Sequence, residues 1–142
     1  MAEAAYDKEC IALAQLETGL RLFAEGQELF SVITLAGAAD EILGNLVAVR
    51  GGVNALTSLT TASAAIHYHL FGEPGDKKGF ADRANLARNA LKHLEAGGTP
   101  TVTLDLQQEA VDLLNRAVDN YWTLKMSLTP AMESFSRAQR AT

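Results

Sequence analysis

A single cysteine, Cys10, stands in 142 residues. That excludes an intrachain disulfide framework and any cysteine-based zinc cluster. Cys10 itself reads as a small buried apolar residue rather than a nucleophile. An uninterrupted membrane-spanning run is also missing. The longest apolar region, residues 29–49, carries Asp40 and Glu41 side by side at its centre, and a bilayer does not readily bury two adjacent carboxylates. The first nine residues are acid-rich where a signal peptide needs basic residues and then an apolar run. The expectation is therefore a cytoplasmic protein with no membrane association. No repeat, low-complexity tract or interdomain linker divides the chain, so residues 1–142 are expected to form one domain, long enough to bury a core. Apolar residues at 48% and charged residues at 20% match ordinary globular usage and argue against disorder.

Positive charge is scarce overall, with 12 Lys and Arg against 17 Asp and Glu, a net charge of −5. That balance argues against general duplex-DNA binding, which needs many phosphate contacts. Its distribution is uneven. Residues 1–30 carry −4, residues 31–76 carry −3, residues 77–94 carry +4 and residues 95–142 carry −2. The one basic stretch is built from Lys77, Lys78, Arg83, Arg88 and Lys92 against a single Asp82.

Every long segment shows helical rather than alternating periodicity. Helices are expected over about residues 4–24, 27–49, 53–71, 80–95 and 105–128, with a short sixth opening at Thr129-Pro130. Gly26, the Gly51-Gly52 pair, the Gly72-Pro74-Gly75-Gly79 loop and Gly97-Gly98 punctuate them. Asp105 with Gln108 resembles a capping box. Residues 137–142 are expected to fray. The predicted fold class is all-α, an antiparallel bundle of four to five main helices.

On a helical wheel the fourth predicted helix gathers Asn85, Arg88, Asn89, Lys92 and His93 into an arc of about 140°. Leu86, Ala87, Ala90, Leu91 and Leu94 fill the other side, as in an amphipathic helix. Such a face can simply meet water. Against that, it holds amides, a guanidinium, an ammonium and an imidazole but no acid before Glu95, whereas exposed helices usually mix in glutamate for pairing.

The run Arg88-Asn89-Ala90-Leu91-Lys92-His93 resembles the signature of the HEPN superfamily (higher eukaryotes and prokaryotes nucleotide-binding): an Arg, a polar residue, then a His after a short spacer. The stretch Leu35-Ala36-Gly37-Ala38-Ala39-Asp40-Glu41-Ile42-Leu43-Gly44 looks like the early helix of such proteins. The resemblance covers roughly residues 11–121. It implies a HEPN-like bundle and, for catalytic members, a metal-independent endoribonuclease of toxin or defence type. Such enzymes pair their motifs across a homodimer and need neither metal nor other cofactor. Arg88 and His93 diverge by about 140° and lie about 7.5 Å apart along a helix axis, so one helix aims them poorly at one phosphorus. A two-fold partner would bring two copies of each to one cleft.

The resemblance then implies roles. His93 is the general acid or base, Arg88 stabilises the phosphorane oxyanion and Asn89 orients the ring or donates to phosphate. Asn85 and Lys92 contact the flanking RNA backbone. Separately from the resemblance, the polar stripe of the fifth predicted helix offers Arg116, with Asn120, as a secondary phosphate ligand across a cleft, and Glu41 is a candidate supporting carboxylate. Two other readings stay open. One is a non-catalytic HEPN-type module binding a nucleotide, RNA or protein. The other is a helical interaction protein whose motif is accidental. An antitoxin or a nucleotidyltransferase-like protein is the partner the first reading implies.

Three further features carry expectations. His67 and His69 point about 200° apart on a helix and so do not chelate one metal ion. Asp40 or Glu41 could pair with Arg88 or accept from Asn85 across the bundle, with one of the two pointing outward. Asp112, Asn115, Arg116, Asp119 and Asn120 recur at i, i+3, i+4, i+7 and i+8 as a second polar stripe, read chiefly as a solvated face. Tyr121 and Trp122, at its end, are expected in core packing or a dimer contact.

Overall fold

The computed structural model describes residues 2–94 and 96–142. Among them are seven helices and no strand: α1 (Lys8–Ala24), α2 (Leu29–Val49), α3 (Ala55–Phe71), α4 (Lys77–Ala84), α5 (Leu86–Ala90), α6 (Leu106–Lys125) and α7 (Pro130–Arg140). The all-α class expected from periodicity is therefore present. Most starts are set by a side chain that accepts from orphan amides of the first turn. Asp7 caps α1, Asn54 caps α3, Asp105 caps α6 through the Gln108 amide at 3.1 Å, and Thr129 caps α7 just before Pro130. The Gln108 side chain does not return to Asp105 as in a full capping box; it donates to Asp112 at 2.8 Å. Helix α7 continues to Arg140, so the frayed tail is shorter than expected.

Helix α2 is the centre of the bundle, packed on one side against α1 and on the other against α6. It is long and apolar enough by composition to cross a membrane, yet here it buries Val32, Ile33, Ala36, Ala39, Leu43 and Val47 inside the protein. Small residues on both partners, Ala36 and Ala39 on α2 and Ala110 and Ala117 on α6, let the backbones approach while Leu16, Leu113 and Leu114 fill the gaps. Helix α7 closes the other side of α1, where the Phe23 and Phe135 rings meet edge to face at 5.7 Å. Tyr121 is buried, as expected, whereas Trp122 is about half exposed. Cys10 is exposed, contrary to the buried reading, because it falls on the outer side of the first turn of α1, two residues before buried Ala12.

The fourth predicted helix is two helices. Asn85 leaves helical geometry at φ −101° and ψ 3°, splitting α4 from α5. A long-range contact sits at the break: the Arg116 fork takes the Ala84 carbonyl at 2.9 Å and the Asn85 side-chain oxygen at 2.8 Å. After Ala90 the chain tightens, with the Lys92 amide donating to the Asn89 carbonyl at 3.4 Å. His93 and Leu94 are already outside the helix; the expected end at Glu95 lies outside the described residues. Of the wheel drawn over residues 85–94, only Leu86–Ala90 is helix. Ala87 is buried and Leu91 packs against the core, but Leu86 and Leu94, expected inside, are exposed.

Helix α5 rests on α2 at Gly37. A Cβ there would meet Arg88 Cγ at 2.5 Å and Cδ at 2.8 Å, so the absence of a side chain makes room for the arginine. Gly37→Ala gains up to about 1 kcal/mol of helix propensity but must displace Arg88, an overpacking cost of about 1–3 kcal/mol. The expected result is a net loss of about 1 kcal/mol in urea unfolding, despite the better helix former.

Candidate functional site

Asp40 is the polar residue at the heart of the bundle. It sits in the most apolar helix and is 3% exposed, where an unpaired carboxylate would be costly. Both its oxygens are engaged from α6. Arg116 Nη2 donates to Oδ2 at 2.5 Å, and Asn120 Nδ2 donates to Oδ1 at 3.0 Å. The same two side chains reach outward to the helix ends around them. Arg116 takes Ala84 and Asn85 at the α4–α5 break, while Asn120 Oδ1 accepts from the Ala55 amide at 2.8 Å, at the start of α3. Asn54, the α3 cap, donates to the Gly44 carbonyl of α2 at 3.2 Å. One buried carboxylate thus ties α2 and α6 to the entries of α3 and α5 and to the end of α4.

Arg88 lies above this cluster, its side chain only 12% exposed. Its Nη1 is 4.0 Å from Asp40 Oδ2 and 3.8 Å from Glu41 Oε2. These are ion contacts longer than hydrogen bonds. The Nε atoms of Arg88 and Arg116 are buried without a hydrogen-bond partner among the described residues. Burial pushes the Asp40 carboxyl up from its ordinary pKa, against the opposing pull of Arg116 and Arg88. Ionised Asp40 is therefore an expensive group held in place by its partners.

The five residues of the expected polar face do not share one surface. Asn85 and Arg88 turn inward to the Asp40 cluster. Asn89, Lys92 and His93 are exposed, and the last two border a shallow cleft with Thr99 and Thr101 on the far side of the helix end. Arg116, expected as a phosphate ligand, is buried and committed to Asp40. Glu41 does contact Arg88, with its own side chain half exposed. It was the neighbouring Asp40 that required a buried partner. Asn120, on the other side of that carboxylate, was expected on a solvated face. The signal for it was present: Arg116 and Asn120 stand one turn apart, and the apolar surroundings of Asp40 demand donors.

The second polar stripe divides along the wheel. Arg116 and Asn120 point in, while Asp112, Asn115 and Asp119 line a groove of about 980 Å³ between α3, α4 and α6. The opposite wall is apolar, formed by Val53, Ala55 and Leu59 with Phe80 at the α4 side. Burial raises the pKa of Asp119, and burial with the nearby Asp112 raises that of Glu109. Among the described residues no group of three or more His, Cys, Asp or Glu side chains is arranged to hold a metal ion.

Comparison with family models, with curated proteins and with solved structures gives no match.

Two outcomes follow from this geometry. Asp40→Ala strips Arg116 of its buried counter-charge and is expected to cost about 3–5 kcal/mol. Glu41→Ala, removing a half-exposed pair, is expected to cost about 0–1 kcal/mol; urea unfolding of the two variants checks the contrast. For Asp119, a folded pKa raised above the unfolded value means the folded state holds the proton more readily, so stability falls as pH rises through that interval. Asp119→Asn is therefore expected to raise the Tm at pH 7 and to lose that advantage as the pH drops below the ordinary carboxylate range.

Proposed function

We propose that this chain is a non-catalytic helical binding module, of the kind the HEPN resemblance allows beside the nucleases. The observation that carries this reading is the engagement of the motif arginine. Arg88 is mostly buried and faces two carboxylates of α2, while His93 lies three residues beyond the end of α5 on exposed chain. A phosphate approaching Arg88 would have to compete with Asp40 and Glu41 for its charge and reach a guanidinium whose side chain is only 12% exposed. The groove between α3, α4 and α6 carries Glu109, Asp112 and Asp119 against Arg83, with Arg116 held by Asp40, a net acidic lining that disfavours phosphate and favours a protein ligand over RNA or a nucleotide.

A second reading keeps the ribonuclease. Asn89, Lys92 and His93 are exposed, and a two-fold partner in a cytoplasmic homodimer could bring their twins to one cleft. An antitoxin or nucleotidyltransferase-like partner belongs to that reading.

An RNA cleavage assay in the presence of chelator separates the two, run on wild type, Arg88→Ala and His93→Ala with thermal unfolding in parallel. The binding-module reading expects intact RNA with all three proteins. It expects a clearly lowered Tm for Arg88→Ala and a stability within about 0.5 kcal/mol of wild type for His93→Ala. Metal-independent cleavage by wild type that both substitutions abolish would overturn it.

A further inference from the structure

Helix α3 is packed the wrong way round for a finished surface. Thr60 is its one buried residue, and the half-buried Ala64 and His67 share that face. The large apolar side chains Leu59, Ile66 and Leu70 fall within about 40° of each other on a neighbouring face and are 44%, 60% and 66% exposed. Leu56, Leu59, Ser63, Ile66 and Leu70 recur at alternating intervals of three and four, the spacing of a seam that receives another helix. Leu59 and Ser63 also form one wall of the groove, so the seam runs out of it.

The facing wall has the opposite character. Glu109, Asp112 and Asp119 line it from α6, with Arg83 as the cation opposite Glu109, since Arg116 is committed to Asp40. Helix α3, by contrast, has no Asp, Glu, Lys or Arg from Ala55 to Phe71. The contact of Asn120 with Ala55 sets the two helices side by side at that end. From there the seam and the acidic row each extend about 15 Å, at 1.5 Å per residue. Two turns of a helix about 10–12 Å across occupy on the order of 1,000 Å³, close to the 980 Å³ of the groove.

We propose that this groove docks an amphipathic helix of a partner protein, its apolar stripe laid along Leu59, Ile66 and Leu70 and its lysines or arginines facing Glu109, Asp112 and Asp119. The proposal rests on the binding-module reading and names the partner's chemistry. Charge selects this occupant over the others. A second copy of α3 would bring no cation to the acidic wall, and RNA would bring phosphates to it. The raised pKa values of Glu109 and Asp119 fit a surface whose carboxylates are under-compensated until a cation arrives.

The test uses the full chain and a designed peptide of about four helical turns, with leucines at three–four spacing and lysines along one flank. A twin peptide carries glutamates in place of the lysines. Titration calorimetry is expected to show saturable one-to-one binding of the lysine peptide and binding of the glutamate peptide weaker by at least about tenfold. Asp112→Asn/Asp119→Asn and Leu59→Ser/Ile66→Ser are each expected to weaken the lysine peptide by at least about tenfold. Asp76→Asn/Asp82→Asn, removing acids outside the groove, is expected to leave it unchanged, with circular dichroism confirming the fold of each variant. Absence of saturable binding, equal affinity for the two peptides, or indifference to the groove substitutions overturns the proposal. So does a dimer of the chain alone that Leu59→Ser/Ile66→Ser dissociates, or an RNA oligonucleotide bound with the same dependence on these substitutions. The cleavage assay reads a different surface, so failure here and failure of the binding-module reading are distinct results.

Discussion

The carboxylate of Asp40 and the guanidinium of Arg116 meet inside the bundle, and the buried polar contacts at the start of α3 and at the α4–α5 break are built around that pair. Taking two ions out of water costs several kcal/mol per ion after relaxation. Burial raises the pKa of Asp40 against the pull of Arg116 and Arg88, the direction expected where desolvation outweighs pairing. The pair is therefore a weak source of net stability and a strong source of register. Arg116 and Asn120 are one turn apart on α6, so the carboxylate can be satisfied only when α2 and α6 are aligned at one height. Their remaining donors and acceptors then fix the start of α3 and the break between α4 and α5.

That chain of contacts governs what the motif can do. An unbroken fourth helix would carry Arg88 and His93 on one rod. The helix instead ends at Ala90, between the two; α5 rests on Gly37, and Arg88 lies against Asp40 and Glu41. The positive charge of the basic stretch is thereby divided. Arg88 compensates buried acid, Lys78 pairs with Asp82 at 2.7 Å, and Lys92 remains on the exposed chain. Helix α3 is supported mainly by α4 and by its contact with α6, with its largest apolar side chains facing outward.

Local signals made much of the fold legible. Helical spacing, Asp105 before α6 and Thr129-Pro130 before α7 are read from neighbours in sequence, and the structure repeats them within a few residues. The acidic step at Asp40 and Glu41 in an apolar helix was visible as an anomaly, as was the i, i+4 pair of Arg116 and Asn120. The distance between them along the chain hid their connection. Bonds from Arg116 that span 76 residues to Asp40, 32 to Ala84 and 31 to Asn85 leave no local pattern, yet the last two lie at the break in the predicted helix, and Asp40 also draws Arg88 off the solvent face. A wheel assumes one continuous helix, so it assigned to a single surface residues that the fold sends to two.

The central claim is that Arg88 is held by α2 as part of the architecture. A double-mutant cycle of Asp40→Asn and Arg88→Gln, read by urea unfolding, tests it most directly. A favourable coupling above about 1 kcal/mol is expected, since both side chains of the contact are mostly buried. A coupling indistinguishable from zero, with Arg88→Gln as stable as wild type, would contradict it and return the arginine to the solvent face.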